Sequence, residues 1–160
     1  MAQRKKLHLP EYLPYLINRV GAALVARFTA DTLEAHGLSI AMWRVLVALS
    51  DLGPQRQVDL ASLTSVEVST LSRLVSRLIQ MGLVTRARSA QSNREVVIAL
   101  TAKAEAMMDE VVPVARELER IAIAGVPKSQ LAAAKAVLHR VYANLMPAAG
   151  ETPARRGRKS

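Results

Sequence analysis

The residues best suited to binding in this sequence lie between Val68 and Met81. Short polar and basic side chains recur along one side of the segment, at Ser69, Thr70, Ser72, Arg73, Ser76 and Arg77. The apolar residues Leu71, Leu74, Val75, Leu78 and Ile79 recur at the spacing of a buried helix face. Hydroxyl and guanidinium groups suit the base edges and phosphates of a DNA major groove. The segment therefore predicts a DNA recognition helix, in which either Arg73 or Arg77 reads a base while the other holds phosphate.

A basic hairpin is predicted immediately after this helix. Gly82 to Thr85 and Val96 to Leu100 flank a turn-forming run from Ser89 to Arg94. The DNA-contacting candidates here are Arg86, Arg88, Asn93 and Arg94. A helix-turn-helix followed by a basic hairpin is a winged helix, so the pattern indicates a DNA-binding regulator.

Further helices must position these two elements. The predicted segments run from Tyr12 to His36, Ser39 to Asp51, Val58 to Leu63, Thr101 onward, and Ser129 to Leu145. Gly37 suits the end of the first helix, Ser39 and Thr101 suit helix caps, and Pro113 should bend the fifth helix. The fold class is therefore mostly α: a winged helix-turn-helix with long N- and C-terminal helices and a small β-hairpin wing.

Composition narrows the class of partner. The formal net charge of +9 and pI near 10.6 favour an acidic polymer such as double-stranded DNA. Much of that charge lies in the two termini, where it serves either solubility or non-specific DNA contact. The sequence has no cysteine, and His8, His36 and His139 are scattered, so we expect neither a metal nor another cofactor. No signal peptide or membrane span is evident, which predicts a cytoplasmic protein with no membrane partner.

These blocks, taken together, resemble the MarR family (multiple antibiotic resistance regulators). The resemblance runs from about Tyr12 to Leu145 and is carried by Leu38 to Leu46, Asp59 to Ala61, Ser69 to Leu78, Met81 to Val84 and Arg94 to Thr101. It implies a homodimer that binds a palindromic operator through two winged helices. Arg94 matches the wing arginine that reaches the minor groove. Ser92 stands where the family often has an aspartate that holds the wing, and Glu95 is expected to point away from phosphate.

The same resemblance gives a domain plan. Residues 1–10 form a flexible arm, 11–37 and 102–146 a helical dimerisation domain, 38–101 the winged helix-turn-helix, and 147–160 a disordered basic tail. The flanking helices carry more apolar surface than the winged helix needs to cover, which favours a dimer. The alternative is a monomer whose terminal helices pack on the DNA-binding module.

A small aromatic or aryl-coenzyme A effector is also implied by the resemblance. The start of the first helix, Tyr12 to Leu16, is similar to regulators of aromatic-acid catabolism. Candidate ligand-binding residues are Tyr12, Tyr15, Arg19, Phe28 and Trp43. Trp43 is either a pocket wall or core packing, and Arg19 either pairs with an anionic ligand or is simply solvated.

Two functions remain open on the sequence. One is a repressor that an effector releases from its operator, and the other is a ligand-independent, architectural DNA-binding protein. An enzyme is not expected, because the sequence has no phosphate-binding glycine loop, metal cluster or catalytic triad pattern.

Overall fold

A computed structural model describes residues 7–89 and 95–146 of the chain. The chain divides into two compact units, Met1–Glu119 and Arg120–Ser160. The described residues form six α-helices and one antiparallel hairpin, which confirms the predicted mostly helical class with a small wing. Residues 1–6 of the predicted arm at 1–10, the wing tip at 90–94 and the tail at 147–160 lie outside the described residues. The described end of that arm enters a short 3₁₀ turn at Leu9–Glu11.

The first helix, α1, spans Leu13–Phe28 and is shorter than the sequence predicted. A wider π-helical turn at Thr29–Leu33 and a tight 3₁₀ turn at Glu34–His36 follow it. The wider turn holds an extra residue, which rotates the following side chains, and Leu33 is completely buried. Gly37 ends the segment with φ +64°, as predicted for a glycine at this position.

Three helices build the helix-turn-helix region. α2 spans Ile40–Leu52, α3 spans Gln57–Thr64 and α4 spans Val68–Gln80. Ser39 caps α2 as predicted, because its Oγ accepts a hydrogen bond of 3.2 Å from the Met42 amide. Gly53, with φ +75°, ends α2, two residues beyond Asp51, where the predicted helix ends.

The wing is an antiparallel pair, β1 at Val84–Arg88 and β2 at Val96–Leu100. Its register places Val84 opposite Leu100 and Arg88 opposite Val96. Gln55 forms an isolated antiparallel β-bridge with Ile98. The Gln55 amide donates to the Ile98 carbonyl at 3.0 Å, and the Ile98 amide donates to the Gln55 carbonyl at 2.8 Å. The wing is thereby attached to the segment that leads into α3.

Two long helices complete the described chain, α5 at Ala102–Ala122 and α6 at Lys128–Leu145. Thr101 caps α5 as predicted, with its Oγ1 3.3 Å from the Ala104 amide. Pro113 lies inside α5, and Gly125, at φ +79°, lies between the two helices.

A single aliphatic core lies beneath the winged helix. It joins buried residues of α2, α3, α4, the wing and the first turns of α5: Val45, Leu46, Leu49, Leu60, Leu71, Val75, Leu78, Ile98, Ala104, Met108 and Val111. Burial of such side chains contributes about 1.5–3 kcal/mol each. The orientation of α4 and the wing is therefore fixed by the best-packed part of the chain.

Candidate nucleic-acid interface

Helix α4 separates a buried face from a polar face. Leu71, Val75 and Leu78 are completely buried, whereas Ser69, Thr70, Arg73, Ser76 and Arg77 are exposed. The buried stripe is narrower than the sequence predicted. Leu74 is only half-buried and Ile79 is exposed, because they flank the line through residues 71, 75 and 78. Ser72, predicted on the polar face, is half-buried at its edge.

The arginines of α4 are available to a partner. Within the described residues neither Arg73 nor Arg77 forms an ion pair or hydrogen bond with another side chain. Ser76 is different, because its Oγ donates to the Ser72 carbonyl at 2.9 Å. From Ser69 to Arg77 the helix rises about 12 Å, and its diameter with side chains is about 10–12 Å, which fits the roughly 12 Å width of the major groove.

The turn into α4 contains a strained residue. Ser65 follows α3 with φ +54°, a left-handed conformation that favours glycine. The Ser65 amide donates to the Ser62 carbonyl at 3.3 Å, and the Val66 amide donates to the Ala61 carbonyl at 3.0 Å. These two hydrogen bonds cap the end of α3. The tight turn sets the angle at which α4 leaves α3.

The far end of α4 is tied to α5. Thr101 Oγ1 donates to the Gly82 carbonyl at 2.7 Å, and the Thr101 amide donates to the Leu83 carbonyl at 3.1 Å. Lys103 Nζ donates to the Met81 carbonyl at 2.9 Å. The residues that follow α4 are therefore bonded to the residues that begin α5.

The described part of the wing presents basic side chains. Arg86 and Arg88 are both exposed and, two residues apart, share one face of β1. Asn93 and Arg94, the predicted contacts at the wing tip, lie outside the described residues.

An ionic group beside the wing was missed by the sequence prediction. Arg56 Nε and Nη2 bind the two carboxylate oxygens of Asp59 at 2.7 and 3.1 Å, and Arg56 Nη1 lies 3.7 Å from Glu95 Oε1. The hydrogen bond from Arg56 holds the pKa of the Asp59 carboxyl below its ordinary value, and the same bond raises the pKa of Arg56. The i,i+3 spacing of Arg56 and Asp59 signals their pairing, but Glu95 is remote in sequence.

The candidate ligand-binding residues fall into two separate groups. Phe28 is buried and packs edge-to-face on Trp43, with ring centroids 5.1 Å apart. The Arg19 guanidinium carbon lies 5.7 Å from the centre of the Tyr15 ring, near the start of α1. Tyr15 and Phe28 are about 20 Å apart along that helix, so one subunit does not bring the groups together. Tyr12 is exposed at the start of α1, at the same end of the helix as Tyr15 and Arg19.

A crevice of about 570 Å³ lies between α2 and the end of α3. Trp43, Arg44 and Asp51 line its α2 side, and Leu63 and Ser65 line the other. It therefore combines an aromatic wall with a guanidinium group directly behind the turn into α4.

Two other kinds of site were sought in the described ranges. Residues 7–89 and 95–146 contain no cluster of three or more histidine or acidic side chains that would hold a metal ion. Within the same ranges, no helix has the length and apolar character needed to cross a membrane.

The core and exposed faces together define a winged helix-turn-helix DNA-binding protein. The MarR family model matches residues 38–96. A MarR family transcriptional regulator from Silicibacter pomeroyi has a similar structure, with a TM-score of 0.78 and 31% identity, covering 90% of this chain and 99% of that one. This chain belongs to the MarR family, and it is a DNA-binding transcriptional regulator.

Two further relatives are characterised regulators. The repressor NicR of Pseudomonas putida is 28% identical over 71% of this chain and 71% of its own length. BpsR of Bordetella bronchiseptica, whose DNA binding is regulated by 6-hydroxynicotinic acid, is 25% identical with a TM-score of 0.74, covering 86% of this chain and 98% of its own.

Proposed function

We propose that this protein is a homodimeric repressor that binds a palindromic operator and is released by a small aromatic or aryl-coenzyme A effector. The observation that carries the DNA-binding mode is the division of α4 into a buried apolar face and an exposed face of hydroxyl and guanidinium groups. Helix-turn-helix proteins contact base edges mainly through the N-terminal part of this helix. Ser69, Thr70 and Arg73 are thus assigned to bases, and Arg77 to phosphate.

The proposed dimer rests on apolar side chains that a single chain leaves exposed. On α1 these are Leu13, Leu16, Ile17 and Val20, which recur at helical spacing. On α6 they are Val137, Leu138, Tyr142 and Leu145, and no residue of α6 is buried. Contiguous apolar surface of this kind marks an interface, which supports assigning residues 11–37 and 102–146 to dimerisation.

A substitution pair tests the dimer. Leu16→Glu and Leu138→Glu each place a charge on one of these faces, and both should yield monomers by light scattering coupled to size exclusion. Glu110→Gln on α5 is a control that leaves both faces intact. Dimers of unchanged stability in both glutamate variants would refute this interface.

The effector class is supported by two relatives and by the crevice. NicR is a repressor and BpsR responds to an aromatic acid. The crevice beside Trp43 offers an aromatic wall, and Arg44 offers a counter-charge for a carboxylate or phosphate. A ligand there would lie against Ser65, in the turn that sets α4.

An effector screen by thermal shift tests this part. Hydroxynicotinates, hydroxycinnamates, benzoates and their coenzyme A esters should include at least one compound that raises the melting midpoint and lowers operator affinity. Arg44→Gln should weaken that compound without altering the melting midpoint of the free protein. A screen in which no compound moves the midpoint would contradict the effector proposal.

The second candidate is a ligand-independent, architectural DNA-binding protein. The observation in its favour is the packing of Phe28 on Trp43, which fills space where the sequence suggested a pocket. The deciding experiment is a fluorescence anisotropy titration on the DNA upstream of the protein's own gene, at low and near-physiological salt with competitor DNA. Tight binding that survives both supports the repressor, and binding that vanishes with salt supports the architectural protein.

A further inference from the structure

The wing is held to the body of the protein at two levels. At the middle of β2, the backbone of Ile98 exchanges two hydrogen bonds with Gln55. At its outer end, Glu95 receives a backbone hydrogen bond of 2.9 Å from Ser89, and its carboxylate faces Arg56. The first attachment needs no particular side chain, whereas the second depends on the charges of Arg56 and Glu95.

Arg56 is itself fixed before it reaches the wing. Its guanidinium is held in a two-point contact by Asp59, in the first turn of α3. A planar guanidinium held by one carboxylate on two nitrogens keeps a third nitrogen in a defined direction. That nitrogen, Nη1, is the one 3.7 Å from Glu95.

This end of the wing and the start of α3 line a common crevice. A crevice of about 500 Å³ separates the two, and its lining includes Arg56, Asp59, Arg88 and Glu95. The Arg56–Glu95 pair therefore lies across open space between the wing and the start of α3.

We propose that Arg56 is a positioning residue, which Asp59 orients and which fixes the wing through Glu95, so that an acidic residue on the wing strengthens DNA binding. This inference rests on the proposed placement of α4 and the wing against DNA. The direction of this effect on DNA affinity is unusual, because an acidic side chain near phosphate ordinarily weakens association by repulsion.

The sign gives a direct test. Glu95→Gln keeps the size of the side chain and removes its charge. If Glu95 only repels DNA, this variant binds the operator more tightly. If Glu95 holds the wing, it binds more weakly, by about two- to fivefold per half-site, which is the range for exposed ion pairs. Glu67→Gln is the matched control, because Glu67 is exposed just before α4 and has no ion-pair partner among the described residues. That control should bind equally well or better.

A double-mutant cycle separates positioning from direct contact. Arg56→Gln should weaken operator binding as much as Glu95→Gln, and the double variant should be no weaker than either single variant. Asp59→Asn, which keeps both Arg56 and Glu95 but removes the contact that orients Arg56, should also weaken binding. The dependence of affinity on salt should be unchanged in Arg56→Gln, because a residue that touches no phosphate releases no counterion.

Several results would overturn the proposal. Glu95→Gln with equal or tighter binding does so, as do additive effects of Arg56→Gln and Glu95→Gln. A reduced salt dependence in Arg56→Gln would make Arg56 a phosphate contact instead. Arg73→Ala is measured in parallel. If Arg73→Ala loses operator affinity while the Arg56 and Glu95 variants keep it, only the proposed positioning of the wing is wrong. If it too binds fully, the proposed DNA interface is wrong.

Discussion

Arg73→Ala is the most direct perturbation of the proposed recognition helix. Arg73 lies midway between Ser69 and Arg77, at the centre of the exposed polar face of α4, which is about 12 Å long. A bidentate arginine–guanine contact contributes about 1–3 kcal/mol. The proposed dimer on a palindromic operator loses this contact twice, or about 2–6 kcal/mol, which is roughly 30-fold to 20,000-fold in Kd.

The doubling is itself measurable. Fluorescence anisotropy on the full operator should show the square of the loss found on DNA that carries one half-site. Because Arg73 is exposed and has no partner among the described residues, its removal should change the free energy of unfolding by less than about 0.5 kcal/mol. Arg116→Ala on α5 removes the same charge from another exposed position and serves as the control.

Two outcomes would refute the reasoning. Full operator affinity in Arg73→Ala would remove this residue from the interface. An equal loss on operator and random DNA would show that it holds phosphate, in which case base reading passes to other residues of α4.

Other substitutions test the elements that place this helix. Ser65→Gly should raise the free energy of unfolding in chemical denaturation by about 0.5–1 kcal/mol. Glycine avoids the left-handed strain, and this gain exceeds the extra backbone entropy that glycine loses on folding. A lower free energy of unfolding would show that the turn is not strained. Leu71→Ala should lower the free energy of unfolding by about 2–5 kcal/mol, and Ile79→Ala should lower it by under about 1 kcal/mol. Equal losses would contradict the different burial of the two side chains. The pKa of Asp59 is lowered by Arg56, so its stabilising contribution is present above the ordinary carboxyl value of 3.8 and lost as pH falls through the lower folded value. The difference in free energy of unfolding between the native protein and Asp59→Asn should therefore be constant near neutrality and should shrink as the pH falls below 3.8. A difference that grows in acid would contradict the stabilising Arg56–Asp59 contact.

The sequence predicted those features that local chemistry determines. Side-chain type and helical spacing account for the burial of Leu71, Val75 and Leu78, the caps at Ser39 and Thr101 and the glycine after His36. A preference of this kind acts within a few residues, so the pattern of neighbours is sufficient to reveal it.

The features that sequence missed depend on residues that meet only in the fold. The π-helical turn after Phe28 contains Leu33, which is completely buried, and no local sequence pattern predicts such a turn. Ser65 adopts a glycine-like conformation because α3 and α4 are each fixed by the core. Glu95 appeared only as an acid in a basic wing, since nothing in the intervening sequence indicates that Arg56 lies beside it.

The bonds from Thr101 and Lys103 to the end of α4 bear on the spacing of an operator. If these bonds make the direction of α4 follow that of α5, we expect the separation of the two α4 helices in the proposed dimer to vary little. Each added base pair lengthens DNA by about 3.4 Å and also rotates it. A base pair inserted between the half-sites would therefore be poorly tolerated, even though it alters no contacted base.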